Sequence, residues 1–294
     1  MDSEINAPPF EPAPRTSGMA IASLVLGILS FLLWILAGIP AIILGIISLV
    51  NISNSRGTLS GKGMAVSGIV LGGFTSVLVI PAILVALLLP AVQAAREAAR
   101  INMSMSQMKQ IMLAMHNHHD AKGAFPPAGS AEDAEPPLLS WRVHILPYIE
   151  QDHLYQQFHL DESWDSEHNR SLISSMPEIY KCPSLPDEGD GTTVYLAVTG
   201  PGAAFQGELT GPTIMDFKDG TSNTMAIVEA DPDQAVTWTR PDDWEYDPQN
   251  PLHGLGNVRP GAIIVGMGDG SVHRLPNDID SGEFTRMVTR DAGD

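Results

Sequence analysis

The sequence has a single cysteine, Cys182, few aromatic residues (6%) and few charged ones (17%). One cysteine excludes an internal disulfide and a zinc site built from cysteines. Basic residues are also scarce, since 16 Lys and Arg stand against 34 Asp and Glu, a net charge of −18. An acidic chain repels phosphate, which argues against nucleic-acid binding.

The charge is divided unevenly along the chain. Residues 1–121 carry six basic and five acidic side chains, whereas residues 122–294 carry ten and 29, a net charge of −19. Because the apolar residues concentrate in the first part, the chain cannot be one soluble globule. Its length suits about two domains, and the acidic part is long enough to bury a core of its own.

Two runs, residues 19–50 and 64–95, contain no charged side chain. About 20 apolar residues are enough for a helix to cross a bilayer, so each run can span one. We predict a membrane domain over residues 18–83, with spans near 19–50 and 64–89, and the lipid bilayer as a partner. The acidic, proline-rich segment 1–17 is predicted to be a disordered tail.

The first run leaves three arrangements open. Its 32 residues would measure about 48 Å as one helix, whereas the hydrocarbon core of a bilayer is about 30 Å thick. Pro40 lies near its middle, so a tilted helix, a kinked helix or a hairpin would each fit. Glycines recur along both runs and predict that the runs pack closely against each other. These glycines are Gly27, Gly38, Gly45, Gly68, Gly72 and Gly73.

The connecting segment, residues 51–63, sets the expected orientation. It contains Arg56 and Lys62 and no acidic residue, so the positive-inside rule places it in the cytoplasm. The chain after the second span then lies outside. We therefore predict a multi-pass protein of the cytoplasmic (inner) membrane with an extracytoplasmic C-terminal domain.

A helical stalk is predicted over residues 84–121. The segment from Ala91 to Lys122 has no glycine and a high helix propensity, and Pro90 should kink it near the membrane exit. Apolar residues recur on it at helical spacing, which predicts a seam packed on the domain that follows. They are Met103, Met108, Ile111, Met112 and Met115.

The rest of the chain, residues 122–294, is predicted to be an acidic α+β domain in which the stalk helix packs across an antiparallel sheet. Helices are expected near 140–158, 166–175 and 283–289. Strands are expected at 192–198, 212–217, 223–230, 234–239, 261–267 and 271–275. Asp269-Gly270 between the last two strands is typical of a hairpin turn.

Two families share motifs with this chain. Residues 18–72 contain AIASLVLGI, GIPAIILGII and GKGMAVSGIVLG, and they resemble a small uncharacterised bacterial membrane-domain family. Residues 84–294 contain ALLLPAVQAAREAAR, SWRVHILPYIEQDHLYQQF, YKCPS, YLAVTGPG, DGTSNTMAIVE and a final Asp-Gly-Ser-Val. This part resembles a large bacterial family of prepilin-like proteins of unknown function, which implies a pilin-like fold with a long N-terminal helix. The motif residues that it implies as structural or ligand-binding are Trp141, Pro147, Tyr148, Glu150, Cys182, Pro183, Asp219, Gly220, Ser222, Asn223, Glu229, Asp269 and Gly270.

The chain departs from that prepilin-like family at several positions. The glutamate that follows the family's processing site is missing, because Gly68, Gly73 or Leu78 occupies its place, depending on the alignment. We therefore expect neither processing nor assembly into a pilus. Ser104 replaces a second cysteine that the family often has, which makes a family-type disulfide impossible. Arg259 stands where the family has a histidine.

The residues give few signs of chemistry. His116, His118 and His119 do not share one helix face, so we expect packing in place of a metal site. No catalytic triad, nucleophile elbow, phosphate loop or dinucleotide fingerprint is present, so we expect a non-enzyme without cofactors. The segment from Asp219 to Asn223 is either a tight turn or a ligand or cation loop, and the turn is favoured. The acidic run 242–247 reads as a solvated face, with weak calcium binding as the alternative.

These observations predict a membrane-anchored, pilin-like envelope protein. Its acidic domain would be displayed outside the cytoplasmic membrane for interaction or assembly, with other envelope or pilin-like proteins as partners. The alternative is a tethered protein that binds an extracellular solute or polysaccharide. Sugars would then stack on aromatic side chains gathered in a cleft. The candidate rings are Trp141, Trp164, Trp238, Trp244 and Tyr246.

Overall fold

A computed structural model describes residues 15–29, 35–55, 59–128, 139–186, 189–206, 210–259 and 261–291. The chain forms two compact units, residues 1–95 and 96–294. Of the predicted disordered tail, residues 1–14 lie outside the described residues, and Arg15–Thr16 form a short strand.

Three helices form the first unit. They are α1 (Gly18–Leu29), α2 (Ile35–Asn54) and the beginning of α3 (Lys62–Lys122). Strand β1 (Arg15–Thr16) pairs in parallel with β2 (Leu59–Ser60), and Ser17 N donates to Ser60 O at 2.8 Å. Because these strands lead into α1 and α3, the two helices begin side by side and run in the same direction.

The first apolar run does not form one continuous helix. Helix α1 ends at Leu29 and α2 begins at Ile35, so the run contains two shorter helices that pack on each other. Pro40 lies inside α2 and does not end a helix. Of the three arrangements that the sequence left open, the structure shows a hairpin.

Glycines bring these helices into close contact, as predicted. A Cβ atom on Gly27 would lie 3.0 Å from the Cα of Gly68, and one on Gly72 would lie 2.7 Å from the carbonyl oxygen of Gly38. Gly45 also faces α3, where a Cβ atom would lie 3.1 Å from the carbonyl oxygen of Ala65. Gly73 is the exception among the six, since open space surrounds it.

Helix α3 runs from Lys62 to Lys122 without interruption, which confirms the predicted continuation of the second run into a long helix. In the part of the chain that the structure describes, α3 is the one helix long and apolar enough to cross a membrane. Its most apolar 18-residue window has a mean hydropathy of 2.5, and only 6% of that window is buried.

The second unit is built on a five-stranded sheet in the order β7-β4-β5-β8-β9. The strands are β4 (Tyr195–Thr199), β5 (Met225–Glu229), β7 (Trp244–Glu245), β8 (Ile263–Met267) and β9 (Val272–Leu275). All neighbours are antiparallel except β4 and β7, which are parallel. A separate antiparallel pair joins β3 (Thr192–Thr193) to β6 (Val236–Thr237).

Both faces of this sheet are covered. Met108 and Met112 of α3 lie against β8, where a Cβ atom on Gly266 would be 3.1 Å from Met112 Cγ. Phe284 and Val288 of α7 (Ser281–Val288) belong to the core on the opposite face. The predicted α+β fold, with the stalk helix across a largely antiparallel sheet, is confirmed.

Four details of the predicted elements are wrong. The expected helix over 140–158 is broken into α4 (Trp141–His144), a 3-10 turn (Leu146–Ile149) and α5 (Asp152–Tyr155). It breaks because Pro147 starts a new turn and Glu150 adopts a left-handed conformation with a φ of 62°. The expected strand at 212–217 is a 3-10 turn, fixed by reciprocal capping between Thr213 and Asp216. Strand β7 was not foreseen. Met103 of the predicted seam is 55% exposed, whereas its other four members are fully buried.

The other predicted helices of this unit are present. The segment near 166–175 forms α6 (Glu167–Ser171) and a 3-10 turn (Ile173–Ser175). The last helix is α7.

Candidate functional site

A cluster of buried polar side chains lies where α3 crosses the sheet. Arg259 Nη2 contacts Glu229 Oε1 at 2.5 Å and Ser104 Oγ at 3.1 Å. Cys182 Sγ donates to the same Glu229 oxygen at 3.2 Å. Tyr195 adds a hydrogen bond from its hydroxyl to Gln107 of α3 at 3.0 Å. The cluster therefore links the helix to the centre of the sheet by polar contacts.

The ion pair in this cluster is withdrawn from water. The side chains of Arg259 and Glu229 are each 1% exposed. Burial raises the pKa of the Glu229 carboxyl, and the Arg259 guanidinium opposes that rise. Within the described residues, Arg259 Nε and Nη1 have no hydrogen-bond partner. Each charge therefore depends on the other, since an unpaired buried charge is costly.

Cys182 is a buried thiol whose pKa is raised by its surroundings. Burial raises its pKa to about 12, and the nearby Glu229 carboxylate adds to the rise. The sulfur therefore carries its proton at neutral pH, and only the thiolate is a good nucleophile. The expectation of a small buried residue is confirmed, with the addition that its proton is donated to Glu229.

Positions at which the chain departs from the prepilin-like pattern meet in this cluster. Ser104 Oγ and Cys182 Sγ lie 3.1 and 3.8 Å from the same Arg259 nitrogen. Ser104 stands where the resemblance implies a second cysteine, so no disulfide can join it to Cys182. The Glu229–Arg259 ion pair lies in the same cluster.

A surface cleft of about 240 Å³ opens beside the cluster, with Cys182 in its wall. Lys181, Asp190 and Thr192 supply polar groups, and Met176 and Leu185 supply apolar ones. Lys181 Nζ is paired with Glu178 at 3.0 Å, and the Asp190 carboxylate accepts from Thr192. These polar groups are engaged with neighbouring side chains.

A second buried ion pair corrects the interpretation of one member of the acidic run, Asp243. Asp243 Oδ1 accepts hydrogen bonds from Arg142 Nη2 at 2.8 Å, Trp141 Nε1 at 2.9 Å and Ala197 N at 2.8 Å. Both charged side chains are fully buried. Trp244 and Tyr246 are 1% and 5% exposed. Asp243, Trp244 and Tyr246 therefore belong to the core, whereas Glu245 and Asp247 of the same run are exposed, as expected of a solvated face.

The Asp219–Asn223 motif and the final Asp-Gly motif form one structural unit. Asn223 Nδ2 donates to the carbonyl oxygen of Asp219 at 2.8 Å, and Gly220 has a positive φ of 94°. Asp269 N donates to the carbonyl oxygen of Thr221 at 3.0 Å, which ties the β8–β9 hairpin to this loop. These local bonds are those of the tight turn that the sequence favours.

The Asp-Gly hairpin has the geometry that its sequence predicts. Gly270 has a φ of 87°, and the Asp269 carboxylate accepts from Ser271 N at 2.8 Å. Partial burial raises the pKa of Asp269, but the hydrogen bonds from Ser271 outweigh it, so the net shift is downward. Asp269 is thus a turn-stabilising carboxylate.

A cleft of about 460 Å³ lies between the motif loop and α7. Asp219, Ser222 and Asn223 line one side, and Glu283 and Arg286 line the other. Glu229, the remaining candidate oxygen ligand, is in the buried cluster and does not reach this cleft. The motif residues therefore divide between two places.

The histidines at the end of α3 pack against aromatic rings. The rings of His116 and His119 each lie 5.1 Å from that of Phe125, and His118 lies 5.9 Å from Tyr148. Across the described ranges, no three His, Cys, Asp or Glu side chains are placed to hold a metal ion together.

The aromatic residues considered for sugar stacking do not form a cleft. Trp141 and Trp238 are fully buried, and Trp244 and Tyr246 also belong to the core. Trp164 is partly buried, with the Arg240 guanidinium 5.8 Å from its ring.

The remaining motif residues are turn and packing residues. Pro147 starts a 3-10 turn, Tyr148 packs beside the main core, and Glu150 ends that turn. Pro183 follows Cys182 in a turn in which Leu185 N donates to the Cys182 carbonyl oxygen at 3.1 Å. None of the four lies in either cleft.

Sequence reasoning missed both arginines and Asp243. Their partners are far away in the sequence, so no local pattern connects them. The one available signal was the arginine at position 259 in place of the expected histidine.

Comparison with known families agrees with both resemblances. Residues 93–214 match the model of a family described as a protein of unknown function (DUF1559). Residues 19–82 match the model of a domain of unknown function (DUF4190). No curated protein and no solved structure matches the chain. The chain is thus similar to two families of unknown function.

Proposed function

We propose that the protein is a membrane-anchored, pilin-like envelope protein that displays a non-catalytic acidic domain outside the cytoplasmic membrane for interaction or assembly. One observation carries this proposal, namely the two different environments along α3. Its most apolar window is almost entirely exposed, whereas Met108, Ile111, Met112 and Met115 are fully buried in a protein core. A helix with both properties suits an anchor at one end and a scaffold at the other.

The first unit exposes the apolar surface that a bilayer would cover. Val77 is 72% exposed, Val70 61% and Ile28 57%. Exposed apolar surface costs about 25 cal/mol for each Å² in water, so such an outer surface favours lipid as its surroundings. The similarity to the DUF4190 domain points in the same direction.

Orientation rests on charge. Arg56 and Lys62 lie between α2 and the apolar part of α3, and basic segments next to spans stay in the cytoplasm. The domain with a net charge of −19 then lies on the other side.

A permanent anchor in place of a cleaved leader is supported by the packing of α3. Gly68 occupies the fifth place after the cleavage-like Lys62-Gly63 pair, where a processed prepilin would have glutamate. It lies against Ser23 of α1, and a Cβ atom there would be 2.6 Å from the Ser23 carbonyl oxygen. The position at which a prepilin needs a glutamate is therefore taken here by a glycine that packs closely against another helix.

A non-catalytic role is supported by the location of the perturbed groups. Burial raises the pKa of Tyr180 and Tyr195, and both are fully buried core residues that line neither cleft. Active sites place such groups together in a cleft that substrate can enter.

Solute binding is the second candidate, and the cleft beside Asp219, Ser222 and Asn223 is the observation that favours it. Its polar lining suits a small hydrophilic solute. Polysaccharide stacking has less support, because most of the candidate rings are in the core.

A pair of reporter fusions tests the proposal. A phosphatase that is active only outside the cytoplasm is fused to the C-terminus of the full chain, and in a matched strain it is inserted after Asn54. We expect activity from the first fusion and none from the second. Activity from the second fusion with silence from the first would overturn the proposed orientation.

A further inference from the structure

We infer that the cleft between the Asp219–Asn223 loop and α7 binds a small basic amino acid of the lysine type, with its carboxylate on Arg286 and an ammonium group on Glu283. Such a ligand goes beyond the proposed display function and gives the solute-binding candidate a chemical class. Its binding does not depend on membrane topology. A failure to bind would therefore leave the proposed anchoring, which the reporter fusions test separately, unaffected.

One wall of the cleft is a single face of α7. Phe284 and Val288, four residues apart, are fully buried in the core of the domain. Residues three and four apart on a helix share a face, so Glu283, Arg286 and Met287 lie together on the neighbouring face. All three line the cleft. Helix α7 therefore presents one carboxylate, one guanidinium and one thioether to the same space.

The opposite wall is the motif loop, and hydrogen bonds hold this loop beside α7. Lys218 N and Asp219 N donate to the carbonyl oxygen of Arg290, just after α7, at 2.8 and 3.2 Å. Thr224 Oγ1, at the end of the loop, donates to the carbonyl oxygen of Thr289 at 3.4 Å. Because both walls are joined in this way, a ligand would enter a preformed cleft, which lowers the cost of binding.

Two charged groups in the cleft are available to a ligand. Within the described residues, the side chains of Glu283 and Arg286 form no hydrogen bond or ion pair, although they lie one turn apart on α7. Asp219 adds a second carboxylate on the opposite wall, and Ser222 and Asn223 add neutral polar groups. The lining therefore carries two negative charges and one positive charge.

This lining matches a molecule that carries one carboxylate and two ammonium groups. A guanidinium binds a carboxylate through two parallel N–H···O bonds. Glu283 and Asp219 would each accept from an ammonium group, which balances the net negative charge of the lining. Met267 and Met287 supply apolar surface for an aliphatic stem between the charged groups. The volume of about 460 Å³ is within the range of small-molecule sites, about 300 to 1,000 Å³.

A comparison of three ligands on the full-length protein in mild detergent tests this site. The probe is L-lysine, titrated by calorimetry up to about 10 mM. Cadaverine is lysine without the carboxylate, and L-norleucine is lysine without the ε-ammonium group. We expect lysine to bind about tenfold or more tightly than either, because each lacks one charged contact. A nonspecific acidic surface would prefer cadaverine, which has the higher positive charge. That order, or no binding of lysine, would overturn the inference.

A matched pair of arginine variants shows whether the cleft is the site. Arg286→Met removes the guanidinium of the cleft, whereas Arg274→Met removes an exposed guanidinium from β9, outside the cleft. We expect the first to weaken lysine binding about tenfold or more and the second to change it by less than about twofold.

Loss of a positive charge would strengthen nonspecific binding of a cation, so unchanged or tighter binding by Arg286→Met would overturn the inference. Equal unfolding temperatures of parent and variants exclude misfolding as the cause. If Arg286→Met unfolds at a lower temperature, Glu283→Gln replaces it, because this variant keeps the shape of the side chain and should weaken lysine binding in the same way.

Discussion

The buried pair of Glu229 and Arg259 makes a strong prediction about stability. Replacing Arg259 with Met removes the cation that contacts Glu229 Oε1 at 2.5 Å and leaves a carboxyl that is 1% exposed without its partner. Breaking a buried pair in this way costs about 3 to 5 kcal/mol. At about 2 to 4 °C per kcal/mol for a domain of this size, the Tm should fall by roughly 6 to 20 °C.

The matched control is Lys218→Met. Lys218 also pairs with a carboxylate, that of Asp291 at 2.6 Å, but the two side chains are 64% and 54% exposed. Exposed pairs contribute about 0 to 1 kcal/mol, so this variant should unfold close to the parent. Unfolding of the full-length protein in mild detergent can be followed by tryptophan fluorescence, because four of its five tryptophans lie between residues 141 and 244.

A double variant separates loss of the pair from general damage. Glu229→Met together with Arg259→Met removes both charges and keeps similar volumes, so it should recover more than half of the stability lost by Arg259→Met alone. If Arg259→Met unfolds at the same denaturant concentration as Lys218→Met, the two charges are not a buried pair and the reasoning is refuted.

Three further predictions concern other parts of the molecule. Gly68→Ala should weaken the helix packing of the first unit by about 1 to 3 kcal/mol, because its Cβ would collide with Ser23. Gly73→Ala, on the open side of the same helix, should be tolerated. Thermal unfolding in detergent compares the two variants, and equal losses of stability would contradict the packing. Burial lowers the pKa of His144 to about 4. The ring takes up a proton near pH 6.5 in the unfolded chain but only near pH 4 in the folded domain. The free energy of unfolding should therefore fall by about 3 kcal/mol as the pH drops from above 6.5 toward 4. His144→Phe should reduce the loss of stability between pH 7 and pH 4, and an unchanged pH profile would show that this ring is not buried in the folded domain. Cys182 should react with a thiol reagent only as the domain unfolds in urea, and rapid stoichiometric labelling of the folded protein would contradict its burial.

The parts of the fold that could be predicted from the sequence are those in which consecutive residues are buried. Strands β4, β5 and β8 are buried on both faces, so they are apolar runs in the sequence, apart from Thr199 and Glu229 at the ends of β4 and β5. The glycines of the membrane unit were informative for a similar reason, because close helix contact requires the absence of a side chain. The break in the first apolar run was left open, since composition alone does not distinguish one long helix from two short ones.

The features that could not be predicted from the sequence depend on contacts between residues that are far apart along the chain. Strand β7 is preceded by two aspartates, and its burial depends on Arg142, which is 101 residues from Asp243 in the sequence. Arg259 reaches Ser104 across 155 residues. In both cases a charged side chain appears polar in sequence and becomes part of the core only through a partner that local patterns do not reveal.

The central claim is that α3 crosses the membrane and that the acidic domain lies outside. The most direct measurement treats intact spheroplasts with protease and then extracts the membranes with alkaline carbonate. The account predicts that protease removes the acidic domain while an N-terminal fragment of about 95 residues stays in the carbonate-resistant pellet. Recovery of the intact chain in the carbonate supernatant, or its full protection from protease, would contradict the account.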